Sequence, residues 1–325
     1  MHRRHLLATL GALAAGAAAP WARADAAYPG QPIRWVVPYP AGGGTDVLAR
    51  TVAEAMRQTL GQQIVVDNRP GAATNIGAQI VATAKPDGYT IMSADNAVLA
   101  YNEHLFSKLP FSPEKDFTYV GGISRFPLAL VVHPAFEART LQQFLAHVRA
   151  HPGQVNYASP GNGSPHHLAM EMFKNRTKTF LTHIPYRGAA PALQDVMGGQ
   201  VPCMFLDLAA GLPVIQSGKV RALAIGSARR AAALPHVPTL AEAGVPDTEV
   251  YAFQGILAPA GLPPAVTQRL NADLNQALAN PAVAQRMQDF GMEALPGTPE
   301  QFFAMARAES KRWGAIIRAA GVKLD

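Results

Sequence analysis

The stretch Pro38-Tyr39-Pro40-Ala41-Gly42-Gly43-Gly44-Thr45-Asp46 holds the first residues whose types and spacing could do chemistry. A strand-like run, Ile33 to Val37, leads into it and a run with helical spacing leads out. Glycines at such a junction leave backbone N–H groups unpaired at the helix start, where the helix dipole favours an anion. Two nucleotide readings fail on the residues themselves. A Walker loop needs a lysine after its last glycine and none follows; the dinucleotide fingerprint needs glycine at position 47, which is valine. What remains is a carboxylate or similar small anion held by Gly43, Gly44, Thr45 and Asp46, or a tight turn in which Thr45 or Asp46 only caps the helix.

The same logic recurs in "NYASPGNGSPHHLAMEMF". A strand ends at Ser159, the turn Pro160-Gly161-Asn162-Gly163 follows, and Ser164 is placed to cap a helix with Pro165 in its first turn. Two glycine turns, each opening a helix, could face each other across a cleft. Ser164 beside His166 and His167 raises a secreted serine hydrolase as an alternative, but G-x-S-x-G is absent because position 166 is histidine. His167 and Glu171 have the i, i+4 spacing of metal ligands, yet H-E-x-x-H is missing and no further ligand cluster follows, so neither metal nor cofactor is expected. His166 and His167 then read as first-turn residues, one solvated and one hydrogen-bonded near the turn. Arg187, in Tyr186-Arg187-Gly188 at a strand end, could add a charge-assisted contact to a carboxylate or make a surface ion pair. Asp207, closing "MFLD", could accept from a ligand amine or cap the following turn, and Asp95 and Asn96 in "SADN" have the same two readings.

The elements that must position these residues alternate. "IRWVVPY", "QQIVVDNRP" and "YTIMSADN" read as strands, with helices over "TDVLARTVAEAMRQTLG" and "TNIGAQIVATAKPDG" between them. In the first helix Val47, Leu48, Thr51, Val52, Ala55 and Met56 recur at three and four, and Gly61 sits where a C-cap belongs. This is a βαβαβ pattern, which implies a parallel sheet. A second α/β alternation starts at "FPLALVVHP" (126–134), and after "VYAFQGILAPAG" (250–261) the chain is mostly helical. The expected organisation is two α/β lobes, one of residues 25–125 plus 251–325 and one of 126–250, with the chain crossing near 126 and returning near 251. Ligands of such sheets bind beyond the carboxyl ends of strands, where two halves meet. Three candidate stretches fall there: 38–46, 93–96 and 158–164.

Composition narrows the class. The 325 residues are 49% hydrophobic, enough for two domains. Residues 1–24 read as a secretory signal peptide, with Arg3 and Arg4, an apolar run from Leu6 to Ala19 and Ala22-Arg23-Ala24 at the end. Arg3, Arg4 and Arg23 leave with it, so 28 basic residues become 25 against 22 acidic, a net charge of +3. No basic run with interleaved aromatics appears, so nucleic acid is not an expected partner. A single cysteine, Cys203, excludes an internal disulfide and lies far from the leader, so a lipid anchor is not expected. The product is expected in the periplasm.

Lined up in order, "YPGQPIRWVVPYPAGGGTDVLAR", "VVDNRPGAATNIGA", "PDGYT", "NYASPGNGSPHHLA", "HIPYRGAAPALQDVMGGQV", "ALPHVPTLAEAGVP", "APAG" and "WGAIIRAAGVKLD" resemble the extracytoplasmic substrate-binding proteins of tripartite tricarboxylate transporters, the Bug-type receptors. The resemblance covers nearly the whole chain beyond the leader. It implies an α/β, two-lobed periplasmic binding protein fold (type II) with two crossover strands and a ligand cleft between lobes. It implies no catalysis: a monomeric receptor closes on a small carboxylate (amino acid, di- or tricarboxylate, or aromatic acid) and delivers it to membrane permease subunits. A sensor presenting its closed form to a membrane kinase is the alternative of the same fold. The family's two glycine turns hold one ligand carboxylate through backbone groups and bridging waters. That carries over to Gly43, Gly44, Thr45 and Asp46, and to Ser159, Gly161, Asn162 and Gly163, with Ser164, His167 and Arg187 beside them. Selectivity is implied for Tyr39, Ser93, Asp95, Asn96, Tyr186 and Asp207 around the ligand's far end. If Asp95 or Asp207 faces the ligand as an unpaired carboxylate, a zwitterion with an amine is expected over a di- or tricarboxylate.

Overall fold

The computed structural model describes residues 28–325 apart from Gly43; the expected leader and Gly43 lie outside the described residues. In chain order β1 (Ile33–Val37), α1 (Gly44–Leu60), β2 (Ile64–Asn68), α2 (Asn75–Ala82) and β3 (Thr90–Asp95) form the βαβαβ unit. β1 pairs in parallel with β2 on one side and β3 on the other. Helix α1 buries Leu48, Val52, Ala55 and Met56, the stripe that the three-and-four spacing predicts, and Gly61 follows it at φ 72°. After β3 the chain makes a π-helical turn (Ala97–Tyr101) and the short α3 (Asn102–Leu105).

Strand β4 (Phe117–Val132) is sixteen residues long and begins well before the apolar run at 126. Its residues 121 and 122 are glycines and 127 is proline, which interrupt the strand signal in the sequence. Next come α4 (Leu141–Ala150), β5 (Asn156–Ser159), α5 (Pro165–Thr177), β6 (Thr182–Pro185), α6 (Ala189–Met197), β7 (Cys203–Asp207), α7 (Leu208–Gln216) and β8 (Arg221–Ile225). Finally β9 (Tyr251–Pro259) returns, followed by α8 (Pro264–Leu278), α9 (Pro281–Asp289), the two-residue β10 (Glu293–Ala294) and α10 (Pro299–Ala320).

The strand order is β2-β1-β3-β9-β4-β7-β5-β6, with β8 and β10 also on β4. β4 changes partners along its length. Residues 117–127 pair with β9, and residues 128–132 pair with β7 and β8, all antiparallel. One strand therefore belongs to both halves of the sheet, and β9 lies beside it at the change. At this crossing the backbones come so close that only glycine fits at 255: a Cβ there would lie 2.5 Å from the Gly121 carbonyl oxygen and 2.2 Å from Cζ of Phe302. Gly255→Ala is expected to cost about 1–3 kcal/mol, the usual range for forcing atoms into a filled core. Urea denaturation should show a lower midpoint at an unchanged slope.

The C-terminal helix returns to the first half. Thr298 and Gln301 make a reciprocal capping box, Pro299 occupies the first turn and Gly321 ends the helix at φ 66°. Buried Trp313 meets Tyr101 edge-on at 5.4 Å, and Arg307 bonds Glu103 and the Leu99 carbonyl. α10 thus braces the π-helical turn that follows Asp95. Among the described residues no helix is long and apolar enough to cross a membrane.

Candidate ligand-binding cleft

A cleft of about 750 Å³ opens between the two halves of the sheet, and all three candidate stretches reach it. Tyr39, Gly44, Thr45, Asp95 and Asn96 line it from the first half, and Gly161, Asn162, Gly163, Ser164 and Asp207 from the second. Such a volume suits a small organic ligand. Two helix N-termini open on it, that of α1 at seventeen residues and that of α5 at thirteen. The first N–H groups of a helix have no intrahelical acceptor and carry the positive end of the dipole; in α5, Pro165 has no N–H and His167 N is capped by Ser164, which leaves His166 N.

Each turn is held by side chains from behind, Asp46 and His167 among them, that do not themselves line the cleft. Behind α1, the buried Asp46 carboxylate accepts from Gly42 N at 2.9 Å, from Asn68 Nδ2 at 2.9 Å and from Arg50 Nε at 3.0 Å. The bond from Arg50 is the main cause that holds this carboxyl down at about 2, against the effect of burial. Behind α5, Ser164 caps the helix by accepting from His167 N at 3.3 Å, as its position before Pro165 predicts, while its own hydroxyl donates to the Gly161 carbonyl at 2.7 Å. Gly163 N donates to His167 Nδ1 at 3.1 Å. Gly163 has φ +73°, and a Cβ there would lie 2.8 Å from Leu105 and 3.0 Å from Leu324, so space and backbone both require glycine.

The imidazoles of His167 and His183 stack at 4.0 Å with planes 7° apart, and Tyr157 stacks on His183 at 4.8 Å. His183 Nε2 lies 2.6 Å from Ser159 Oγ, which also accepts from Gly161 N. Burial is the first cause that lowers both histidines, His183 to about 4. This Ser159–His183 contact is the side-chain serine–histidine pairing at the turn among the described residues, but Ser159 is fully buried, and Ser164 is engaged with backbone.

Of the remaining sequence candidates, Ser93 is buried and accepts from Trp35 Nε1 at 2.9 Å, so it supports the sheet behind the cleft. Asn96 accepts from Phe253 N at 2.7 Å and donates to the Tyr251 carbonyl at 3.1 Å, tying β3 to the crossover strand β9. Tyr39 donates to Asp95, whose other oxygen accepts from Ala97 N at 3.1 Å; burial raises the Asp95 carboxyl against these bonds. Tyr186 gives its hydroxyl to Asp195 at 2.6 Å, and Arg187 is exposed; neither lines the cleft. Asp207 caps α7 through Ala210 N at 2.7 Å and faces His166 Nε2 at 3.2 Å. Burial would raise the Asp207 carboxyl, but these hydrogen bonds outweigh it and the net shift is downward.

The sequence reading missed several cleft residues. The local spacing makes His166 and His167 first-turn residues with one of them solvated, whereas both are buried, and the approach of His166 to Asp207 spans 41 positions of chain, which no local spacing reveals. Phe126, Phe253, Phe290 and Met292 line the cleft from the crossover strands and from the segment around β10. Ala72, Ala73 and Thr74 run left-handed at φ 47°, 50° and 74°, with Ala73 and Thr74 on the cleft. Such conformations cost about 1–3 kcal/mol each and cluster at ligand clamps; Asn102 Nδ2 secures this one by donating to the Ala73 carbonyl at 2.8 Å. Among the described residues no group of three or more His, Cys, Asp or Glu could hold a metal ion.

Two α/β halves joined by crossover strands, with opposed helix N-termini in the cleft between them, define a periplasmic binding protein fold. The chain belongs to the tripartite tricarboxylate transporter family of receptors, whose model matches residues 48–322. It is 38% identical to the protein BugT of Bordetella pertussis over the full length of both chains. Among solved structures, Rpa4515 of R. palustris with adipate is 33% identical at a TM-score of 0.83, over 91% of this chain and 99% of that one. MatC from Rhodopseudomonas palustris with bound malate is 34% identical at a TM-score of 0.78, over 89% of this chain and 100% of that one. The chain is therefore a solute-binding receptor by family.

Proposed function

We propose that this receptor binds a small carboxylate in the periplasm and delivers it to a membrane permease of the tripartite type. The observation that carries the reading is the convergence of two helix N-termini, α1 and α5, on one cleft. Relatives whose solved structures hold adipate and malate support a carboxylate as the anion. Backbone N–H groups of Gly44 and Thr45 on one side and of Asn162 and His166 on the other would share one carboxylate, directly or through water; Gly161, Gly163 and Ser164 spend theirs inside the turn. Residues 25–125 with 251–325, and residues 126–250, are the two bodies that close on it, flexing where β4 and β9 cross. Closure needs no catalysis: a ligand that touches both bodies binds the closed state more tightly and shifts the population towards it. The permease would read that closed state.

Thermal unfolding with a panel of carboxylates and phosphate tests the reading. A carboxylate at a hundred times its Kd adds about 2.7 kcal/mol of stability, which for a chain of this size raises the melting temperature by roughly 4 °C. A response to phosphate alone, with every carboxylate silent, would overturn it.

A further inference from the structure

The cleft offers a carboxylate one place to be held and surrounds the rest of the ligand with something different. Among the described residues that line it, none is a lysine or arginine. The charged groups it does contain are two carboxylates, Asp95 at the end of β3 and Asp207 at the end of β7. Neither is unpaired. Asp95 already holds the Tyr39 hydroxyl and Ala97 N, and Asp207 holds His166 Nε2 and Ala210 N. The expectation that an unpaired acid would select an amine therefore loses its premise, because the donors that such an acid would seek from a ligand come from the protein.

Beside the uncharged amides of Asn102, Asn162 and Gln254, much of the remaining wall is apolar. Phe126 and Phe253 stand on the paired crossover strands, Phe290 follows α9, and Met292 and Ala252 complete the patch. Aromatic rings and a thioether favour a flat apolar ligand body and offer a charged one nothing in exchange for its water. Of the cleft-lining side chains, His166 Nδ1 and Asn102 Oδ1 are buried without a hydrogen-bond partner, so the spare polar capacity is an imidazole nitrogen and an amide oxygen rather than a cation.

Building on the carboxylate-receptor reading above, we infer that this cleft selects monocarboxylates with an uncharged, ring-bearing body and discriminates against a second carboxylate or an amine. The single carboxylate sits at the α1 and α5 N-termini, and the ring lies against Phe126, Phe253, Phe290 and Met292. A second carboxylate would lose its hydration among these rings, find no cation, and approach Asp95 or Asp207. The inference separates this chain from the relatives with adipate and malate, both of which are dicarboxylates.

Matched ligands measured by calorimetry on the purified full-length protein test it. Phenylsuccinate is 3-phenylpropionate with a second carboxylate, phenylalanine is 3-phenylpropionate with an amine, and adipate is hexanoate with a second carboxylate. The expected result is that 3-phenylpropionate binds best and that each added charge weakens binding at least tenfold. Asp95→Asn should then raise the ratio of phenylsuccinate to 3-phenylpropionate affinity at least fivefold. Adipate or phenylsuccinate binding as tightly as its partner would overturn the inference and leave the carboxylate reading standing. Phenylalanine binding more tightly than 3-phenylpropionate would overturn it in favour of an amine. An unchanged ratio in Asp95→Asn would overturn the exclusion by Asp95. Silence from every carboxylate would remove the carboxylate reading itself, a pattern distinct from the other three.

Discussion

Asp46→Ala is expected to lower stability by about 3 kcal/mol and to weaken carboxylate binding at least tenfold, although Asp46 does not line the cleft. Its carboxylate is buried and joins three partners from three segments: Gly42 in the glycine turn, Arg50 one turn along α1 and Asn68 at the end of β2. Removing it leaves Asn68 Nδ2 without that acceptor and lets the turn swing away from the helix that it opens. Arg50 is half exposed and can return to water, which keeps the loss near the lower end for a broken buried pair. The carboxyl is held at about 2, below its ordinary 3.8, so the unfolded chain takes up the proton first as pH falls. The contribution is complete above about pH 4 and is lost towards pH 2. Urea denaturation at pH 7 and at pH 3 should show the variant's deficit shrinking with acid. Glu54→Ala, which breaks a solvent-exposed pair with Arg57 on the same helix, should leave both stability and affinity unchanged. A deficit equally large at both pH values would mean that the turn does not depend on the ionised carboxylate.

Asp46 also shows how far the sequence could be read. Its place in a glycine turn before a helix was visible, and so was the helix, because the apolar residues of α1 recur at three and four and Gly61 stops it. The N-cap at Ser164 was visible for the same reason: serine before proline at a helix start has few other uses. What the residues could not show was which way a polar side chain turns. Asp46, Ser93, Ser159 and Asn96 all sit in or beside the candidate stretches, yet each spends its hydrogen bonds on the protein. Those partners lie 22 to 157 positions away in all four cases, and long-range pairing leaves no local trace. The apolar wall was missed for a related reason: Phe126 and Phe253 read as ordinary strand residues, and only the pairing of β4 with β9 brings them together on the cleft. The π-helical turn after Asp95 had no signal either, since it is held by Arg307 and Trp313 of the last helix rather than by its own residues.

The second large effect is expected from acid acting on the stacked histidines behind the α5 turn. His167 Nδ1 accepts from Gly163 N, so that nitrogen must be free of a proton. His183 lies 4.0 Å away in a near-parallel stack, and two imidazolium rings at that distance would repel. Tyr157, which stacks on His183, gives its hydroxyl to Glu171 at 2.6 Å; Lys174 bonds the same carboxylate at 2.7 Å. Glu171, 3.8 Å from His167 Nε2, favours the charged ring, but burial dominates and lowers both histidines. The unfolded chain binds these protons as pH falls through the ordinary 6.5, whereas the folded chain resists, His183 until about 4. Stability from the neutral stack is therefore full above about pH 6.5 and declines towards pH 4. Between pH 7 and pH 4.5 the melting temperature of the unliganded protein should fall by on the order of 5 °C, and carboxylate affinity should fall with it as the Gly163 turn loses its acceptor. The double variant His167→Asn, His183→Gln separates this from general acid effects. Asn can present an acceptor where Nδ1 stands and Gln a polar group where Nε2 stands, and neither titrates in this range. A flattened pH profile in the double variant would assign the acid sensitivity to the stack, whereas an unchanged slope would place it in the carboxylates elsewhere in the fold.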